Sequence, residues 1–182
     1  MKFIQTPLED LFLIEPTIFI DDRGYFFESF NEEEMLLHGI KGPFIQDNQS
    51  VSHKGVLRGL HFQKSPDEQG KLVRVVKGSV IDVVVDIRKS SLTFGKHFSI
   101  ELNARENKML WIPSGFAHGF ISLEDDTIFL YKVTEYYRPM SESGIIYNDN
   151  ELNIDWQIQN PVVSSKDRIL PSFKEYRQSI NV

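Results

Sequence analysis

Cysteine is absent from this 182-residue chain, so disulfide bonds and thiolate metal sites are both excluded. No apolar run approaches the roughly 20 residues needed to span a bilayer, and no basic-then-apolar leader opens the chain. Basic residues are fewer than acidic ones: 20 Lys and Arg against 26 Asp and Glu give a net charge of −6. We therefore expect a cytoplasmic protein with no nucleic-acid or membrane partner, in which any anionic ligand meets a local cluster of cations.

The composition is that of a globular protein, with 41% hydrophobic and 12% aromatic residues. A chain of 182 residues is long enough to bury a core within one domain. Internal repeats, low-complexity tracts and linkers are lacking, so the sequence predicts a single domain that covers residues 1–182.

Apolar residues that recur with a period of two dominate the middle of the chain and predict β-strands. Two β-branched runs, Lys71–Val76 and Val80–Arg88, meet around Gly78 and Ser79, which favours a hairpin. Further strands are predicted at His97–Leu102, Lys108–Ile112, Gly119–Leu123 and Thr127–Thr134. Strands this closely spaced indicate a mainly β fold, an antiparallel sandwich or barrel.

One of these strands carries acidic residues on a single face. Along Val80–Arg88, Asp82 and Asp86 alternate with valines on one face, while the opposite face is entirely apolar. Lys or Thr is more usual at such positions in a purely structural strand, so we expect the acidic face to line a wet cavity.

Helical patterns are confined to two short segments. Asn31 can cap a helix over Glu32–Leu37, whose first turn is acidic. The stretch around Ser172–Ser179 predicts a second short helix. Both helices are too short to form a layer of their own, so they are expected at the periphery of the β structure.

His61 lies in a run, Val56–Gln63, that otherwise reads as a strand. Imidazole titrates near neutrality and can remove a proton at physiological pH. Arg58 lies three positions before it and Lys71 ten positions after it, and such cations can hold a phosphate or stabilise an oxyanion. Arg58 and His61 differ in parity along the strand, so a bulge at Gly59 is needed to bring both to one cavity.

A second histidine, His118, stands in the pattern Pro113-x-Gly115-x-x-His118, which resembles the second motif of the cupin superfamily. Metal-binding cupins carry His-x-His in their first motif, where this chain has His61-Phe62-Gln63. An amide is a poor ligand for a transition metal, and Asp67 or Glu68 would complete only a thin set of ligands. The sequence therefore predicts a cupin barrel without a catalytic metal.

Taken together, longer blocks of the chain closely resemble the dTDP-4-dehydrorhamnose 3,5-epimerase family. The matching segments, in order, are Asp21–Ser29, Gln46–Asn48, Val56–Gln63, Gln69–Arg74, Trp111–Phe120, Phe129–Lys132, Tyr136–Tyr137, Asn148–Asp149, Trp156 and Ser165–Asp167. The resemblance implies a cupin-type antiparallel β-barrel (jelly roll) with short peripheral helices. It also implies a homodimer with exchanged N-terminal strands that acts on dTDP-4-keto-6-deoxyglucose, a dTDP-4-keto-6-deoxyhexose, without metal or organic cofactor.

The resemblance assigns catalytic roles to four residues. His61 would be the base that removes the protons α to the C4 ketone, and Asp167 would hold its imidazole in the required tautomer. Lys71 would stabilise the enolate, and Tyr131 would return a proton to the opposite face of the sugar. Inversion needs two such groups, because a single base on one face could only put the proton back where it was.

The resemblance likewise implies binding roles. Arg58 and Arg23 would contact the diphosphate with help from His118 and Lys166, and Tyr137 would stack on thymine. The remaining positions that match nucleotide- or sugar-contacting residues are Gln46, Asn48, Glu28 and Glu142. With exchanged strands, Arg23 and Glu28 would serve the cavity of the partner. Asp82 would support Lys71, or form a buried structural pair with it.

Three alternatives stay open at this level. Relatives of this fold that invert only C3 or only C5 share these catalytic residues, and a linear sequence does not report how side chains are posed. A metal-dependent cupin enzyme is a second alternative, and a non-catalytic sugar-nucleotide-binding protein is a third. The joint presence of His61, Tyr131, Lys71 and Asp167 argues against the third, because binding alone needs neither a base nor an opposed acid.

Overall fold

We describe residues 1–180 of the protein from a computed structural model. The last two residues of the predicted domain lie outside the described part. The strands, in chain order, are β1 (Lys2–Gln5), β2 (Phe12–Glu15), β3 (Phe19–Asp21), β4 (Gly24–Phe26), β5 (Gln46–Ser52), β6 (Val56–Gln63), β7 (Lys71–Lys77), β8 (Ser79–Asp86), β9 (His97–Asn103), β10 (Met109–Ile112), β11 (Phe116–Ser122), β12 (Thr127–Val133), β13 (Glu142–Gly144) and β14 (Val162–Val163). The helices are α1 (Glu32–Leu37), α2 (Phe173–Ser179) and a 3-10 turn (Asp167–Ile169). Within residues 1–180, no helix is both long and apolar enough to cross a membrane.

Two large sheets face each other and confirm the predicted antiparallel β-barrel. The first runs in the order β1-β2-β10-β7-β12-β5, and the second in the order β13-β6-β11-β8-β9 with β14 added beside β6. Every pairing in the two sheets is antiparallel except that of β14 with β6. The small hairpin of β3 and β4 forms a separate sheet.

The alternation along β8 separates two cores, as its sequence predicts. Val80 and Val84 pack with Phe120 and Phe129 in the cluster between the two sheets. Ile81, Val83 and Val85 belong to a second cluster, which the C-terminal segment covers with residues that include Trp156 and Phe173. A third cluster lies where α1 covers the outer face of the first sheet. The acidic face of β8 therefore points into the packed interior, and the expectation that it lines a wet cavity is wrong, because Asp82 and Asp86 are fully buried and neither lines the cavity described below.

The predicted hairpin between β7 and β8 is wrong. β7 pairs with β10 and β12 in the first sheet, whereas β8 pairs with β9 and β11 in the second. Gly78, at φ +78°, turns the chain from one sheet to the facing one. A Cβ at this position would clash with Thr127 Oγ1, so the corner requires glycine. The sequence correctly predicts a turn at Gly78, but this turn joins two facing sheets rather than two paired strands.

Both predicted helices are confirmed, as is the predicted cap at Asn31, and the structure adds a cap at Ser172. Asn31 Oδ1 accepts hydrogen bonds from the backbone N–H groups of Glu33 and Glu34 at 3.1 and 3.3 Å. Ser172 and Glu175 form a reciprocal capping box at the start of α2. These side chains satisfy N–H groups that the first turn of a helix leaves without intrahelical partners.

Candidate active site

A bulge in β6 brings Arg58 and His61 to one side of the strand, as the sequence predicts. Arg58 lies opposite Phe120 and His61 opposite His118, so two residues of β6 stand against a single residue of β11. Gly59 has φ +134°, and a Cβ there would lie 2.5 Å from Gly119 Cα. The close approach of two glycine backbones thus creates the local geometry of the site.

We predict that Gly59→Ala destabilises the protein by about 1–3 kcal/mol from backbone strain, with a further loss from the clash with Gly119. Thermal or chemical unfolding measures this loss. Gly39→Ala is the matched control, because Gly39 also has a positive φ, of +77°, but lies outside the hairpin of β3 and β4, and a Cβ added there would meet no atom within 4 Å. Equal destabilisation in both variants would contradict the role given to the close approach.

A cavity of about 490 Å³ opens beside this bulge, between the two sheets. It brings together residues that are far apart in sequence. The predicted site residues that line it are Arg58, His61, Lys71, His118, Tyr131, Tyr137, Glu142, Lys166 and Asp167.

His61 and Asp167 form a close pair at one wall of the cavity. The Nε2 atom of His61 lies 2.7 Å from Asp167 Oδ1, and the backbone N–H of Gly59 donates to the other carboxylate oxygen at 3.4 Å. Burial acts to raise the pKa of Asp167, but its hydrogen bond and charge interaction with His61, together with hydrogen bonds to Gly59 and Ser164, outweigh burial and lower it. The carboxylate therefore stays ionised and fixes the imidazole ring, which is itself about one-third exposed to the cavity.

Lys71 begins β7 and points its amine into the interior. Its Nζ donates to the carbonyl oxygen of His61 at 3.4 Å. Burial lowers the pKa of Lys71 to about 8, against the opposing effect of the negative charges of Asp82 and Glu142. A desolvated ammonium beside the imidazole is well suited to stabilise an oxyanion formed in the cavity.

A second histidine–carboxylate pair lies deeper in the barrel. His118 Nε2 is 2.9 Å from Asp82 Oδ2, and both side chains are buried. Asp82 lies behind the cavity wall rather than in it, so its contact with a ligand is indirect. It holds His118 and acts on Lys71 through its charge.

Tyr131 approaches the cavity from β12, which belongs to the sheet facing that of His61. Burial raises the pKa of Tyr131, and Glu142 adds to this while Arg58 opposes it. The phenol is therefore protonated at neutral pH and can donate a proton. Arg58 is held nearby by Ser52 Oγ and by the carbonyl oxygen of Val51, each at 3.2 Å.

Three polar side chains join at the mouth of the cavity. Glu142 Oε2 accepts a hydrogen bond from the Tyr137 hydroxyl at 2.6 Å and one from Lys166 Nζ at 2.5 Å. Burial acts to raise the pKa of Glu142, but Lys166 and Tyr137 outweigh burial and lower it. Tyr137 itself is half-exposed, so one face of its ring is free to stack on a planar ligand.

The amide pair of β5 lies next to the cavity rather than in its lining. The sequence patterns predict no strand at Gln46–Ser52, but this segment is β5, in which Gln46 Nε2 donates to Asn48 Oδ1 at 2.9 Å. Gln46 also accepts the backbone N–H of Tyr137 at 3.2 Å. Asn48 lines a smaller neighbouring cavity of about 220 Å³ with Tyr131.

Arg23 and Glu28, like Gln46, Asn48 and Asp82, are predicted site residues that do not line this cavity within one chain. Arg23 lies in the turn between β3 and β4, where its exposed side chain pairs with Asp21. Glu28 accepts a hydrogen bond from Asn31 Nδ2 at 3.3 Å. Around them, the hairpin exposes large apolar side chains, Phe19, Ile20, Tyr25 and Phe26.

The donor set around His61 does not fit a catalytic metal. The Nε2 atom of His61 is taken by Asp167, and the amide of Gln63 is fully engaged with backbone groups. Across residues 1–180, no three His, Cys, Asp or Glu side chains group closely enough to hold a metal ion. Gln63 lines the cavity, a role that sequence reasoning missed by treating it only as a poor ligand.

Comparison with known proteins gives one consistent family. The model of that family, described as dTDP-4-dehydrorhamnose 3,5-epimerase, matches residues 5–175. A curated dTDP-4-dehydrorhamnose 3,5-epimerase from Shigella flexneri is 52% identical over 92% of this chain and 93% of its own length.

Solved structures agree with the sequence relatives. The crystal structure of dTDP-4-dehydrorhamnose 3,5-epimerase from Elizabethkingia anophelis NUHP1 has a TM-score of 0.93 and 47% identity, over 96% of this chain and 97% of that one. A 3,5-epimerase from Legionella pneumophila, solved in complex with dTDP-4-keto-L-rhamnose, has a TM-score of 0.91 and 47% identity, over 95% and 93% of the two chains. The likeness therefore covers the barrel and the cavity together.

Proposed function

The chain belongs to the dTDP-4-dehydrorhamnose 3,5-epimerase family, and from this premise we propose that it inverts C3 and C5 of a dTDP-4-keto-6-deoxyhexose. The observation that carries the proposal is the pair of opposed groups in one cavity. His61 and Tyr131 stand on strands of the two facing sheets, and both line the space between them. A ketosugar that lies in this space meets a base from one wall and a phenol from the other.

Proton removal falls to His61 in this proposal. Hydrogens on the carbons next to the C4 ketone are acidic because the resulting carbanion is delocalised onto the ketone oxygen as an enolate. His61 takes the proton, while ionised Asp167 stabilises the imidazolium that forms. Lys71 is the cation placed to stabilise the enolate oxygen, with Asp82 and His118 behind it.

Proton return falls to Tyr131. The planar enolate carbon accepts a proton on the face opposite to the one from which His61 removed it, and that return inverts the centre. The buried phenol is protonated at neutral pH and can give up its proton at this step. Arg58, beside it, lowers the cost of the phenolate that remains.

The binding roles form part of the same proposal. Arg58 and Lys166 would hold the diphosphate through charge-assisted hydrogen bonds, and Tyr137 would stack on thymine. His118, which is buried against Asp82, would support the cavity wall behind Lys71 rather than reach the diphosphate. The side chain of Gln46 accepts a hydrogen bond from the backbone N–H of Tyr137 and so helps to hold that residue. Asn48 pairs with Tyr131 where β5 and β12 lie side by side. Glu142, which links Tyr137 to Lys166, would face the sugar.

We also propose that the protein works in the cytoplasm as a homodimer with exchanged N-terminal strands. The exposed apolar hairpin of β3 and β4 supports the dimer, because a surface patch of this kind is typical of an interface. Exchange would carry Arg23 and Glu28 of one protomer to the cavity of its partner.

Activity should fall at alkaline pH because Lys71 loses its proton. With a pKa of about 8, the ammonium predominates below that pH and the neutral amine above it. We expect kcat/KM to fall about tenfold per pH unit above pH 8, since this ratio reports the free enzyme. Lys71→Arg keeps its charge and should lose this alkaline limb. An unchanged limb in that variant would assign the ionisation to another group.

The direct test supplies dTDP-4-keto-6-deoxyglucose to the purified protein and reads the product configuration by NMR. Inversion at both C3 and C5 supports the proposal, and inversion at only one carbon would replace it with a narrower epimerase. Metal analysis of the same sample separates a metal-dependent cupin enzyme, because that alternative requires a stoichiometric transition metal.

A further inference from the structure

We propose that Gln63 is a positioning residue for nucleoside recognition, which it serves by holding Tyr137 at the mouth of the cavity. The inference rests on the proposed function, in which Tyr137 meets the thymine ring. Gln63 ends β6, two residues after His61, and its side chain is buried. It is therefore the point where the strand that carries the base meets the loop that carries the stacking ring.

The amide of Gln63 binds both peptide groups that flank Tyr137. Its Nε2 donates to the carbonyl oxygen of Tyr136 at 3.1 Å, and its Oε1 accepts the N–H of Arg138 at 2.6 Å. Gln63 thus holds both the peptide bond before Tyr137 and the one after it, and Gln46 Oε1 holds only the first, through the N–H of Tyr137. Because those two peptide planes set the φ and ψ angles of Tyr137, Gln63 fixes the direction in which its ring leaves the backbone.

A third hydrogen bond ties the same amide to the facing loop. Nε2 of Gln63 also donates to the carbonyl oxygen of Asp67 at 2.6 Å. Asp67 in turn accepts the hydroxyl of Ser141, which lies at the far end of the Tyr137 loop. The loop after β6 and the loop after β12 are therefore joined through Gln63 into one rim.

Glutamine is suited to make all three of these hydrogen bonds at once. Glutamine offers two N–H donors and one carbonyl acceptor from the end of one side chain, and Gln63 uses all three. An imidazole has two ring nitrogens and cannot supply two donors and an acceptor together. The residue that replaces the second histidine of a metal-binding cupin motif has thereby become the support of a ligand-contacting ring.

The test uses Gln63→Met, which keeps the length of the side chain and removes all three hydrogen bonds. Calorimetry compares the affinities of wild type and variant for dTDP and for inorganic pyrophosphate, which has no base to stack. We expect dTDP binding to weaken about tenfold or more and pyrophosphate binding to change by less than about twofold. KM for dTDP-4-keto-6-deoxyglucose should rise while kcat stays within about twofold of wild type.

Gln69→Met is the matched control. Gln69 also lines the cavity and donates one hydrogen bond, at 2.6 Å, to the carbonyl oxygen of Glu135 at the start of the same loop. Its loss leaves both peptide groups around Tyr137 in place, so dTDP binding should weaken by less than about threefold. Equal weakening in both variants would overturn the specific assignment to Gln63.

A double-mutant cycle separates positioning from general stability. If Gln63 acts through the ring of Tyr137, then Gln63→Met should have almost no further effect on dTDP binding in a Tyr137→Ala background. Additive losses would overturn the proposal, as would equal losses of dTDP and pyrophosphate in Gln63→Met. Should Gln63→Met fail to fold, Gln63→Glu takes its place in every comparison, because it retains the acceptor for Arg138 and loses both donors.

The failure of this inference is distinguishable from the failure of the proposed function. Wild-type protein that binds dTDP, beside a Gln63→Met variant that binds it equally well, would overturn the role of Gln63 alone. Wild-type protein that does not bind dTDP would overturn the proposed function and this inference with it.

Discussion

Replacing His61 with asparagine should lower kcat by about 10²–10⁴-fold, the usual contribution of a general base. The same base serves both carbons in this mechanism, so the loss should apply equally to C3 and C5. Asp167 cannot take over, because it lies behind the imidazole and holds it at 2.7 Å. Proton NMR in heavy water measures the loss directly, as the exchange of the two hydrogens next to the ketone.

His53→Asn provides the control, because His53 is an exposed histidine whose nearest acid, Asp125, is 3.9 Å away. Its exchange rates should match those of wild type. Turnover at the parental rate in the His61 variant would refute the assignment of the base. A loss confined to one carbon would instead mean that two different bases serve the two centres.

Tyr131→Phe should separate exchange from inversion. The base is intact in this variant, so the hydrogens next to the ketone should still exchange with solvent. The phenol that protonates the opposite face is missing, so inversion should fall by about 10²-fold or more at one or both carbons. The fold should persist, because phenylalanine keeps the ring that packs against the inner core.

Tyr136→Phe serves as the matched control, since Tyr136 is half-exposed and does not line the cavity. NMR reports both quantities for each variant, the deuterium content at each carbon and its configuration. A Tyr131→Phe variant that forms inverted product at the wild-type rate would remove this residue from the mechanism.

Local sequence patterns predicted the parts of the fold that depend on neighbouring residues. The cap at Asn31, the short helix around Ser172–Ser179 and the two-faced alternation of β8 are properties of a few adjacent residues, and all are confirmed. The bulge at Gly59 was also predicted from neighbouring residues. Arg58 and His61 are three positions apart, so they can share a cavity only if the strand contains an extra residue between them.

Long-range pairing was the part that patterns could not supply. Gly78 gives a turn signal whether the next strand folds back on the first or crosses to the facing sheet, and only the tertiary packing against Thr127 decides between them. The polar strand β5 was missed because the amides Gln46 and Asn48 are as common in loops as in strands. Its partner β12 lies far along the chain and supplies the pairing that makes β5 a strand.

The same distinction between local patterns and long-range contacts applies to the site. The resemblance to a family named the titratable residues that line the cavity, and the distances between them support the proposed roles. The role of Gln63 was hidden, because its three partners are backbone groups of Asp67, Tyr136 and Arg138. Backbone partners leave no trace in side-chain patterns, so only the folded chain shows them.

The origin of the hydrogen in the product tests the account most directly. In the proposed mechanism, a single turnover in heavy water has His61 remove protium from one face of the sugar and Tyr131 deliver deuterium to the other. The account therefore predicts full deuterium content at both C3 and C5 of the product, each with inverted configuration. Product that is inverted but retains the original protium at either carbon would contradict it, because the hydrogen would then have moved from one face to the other without passing through two separate groups.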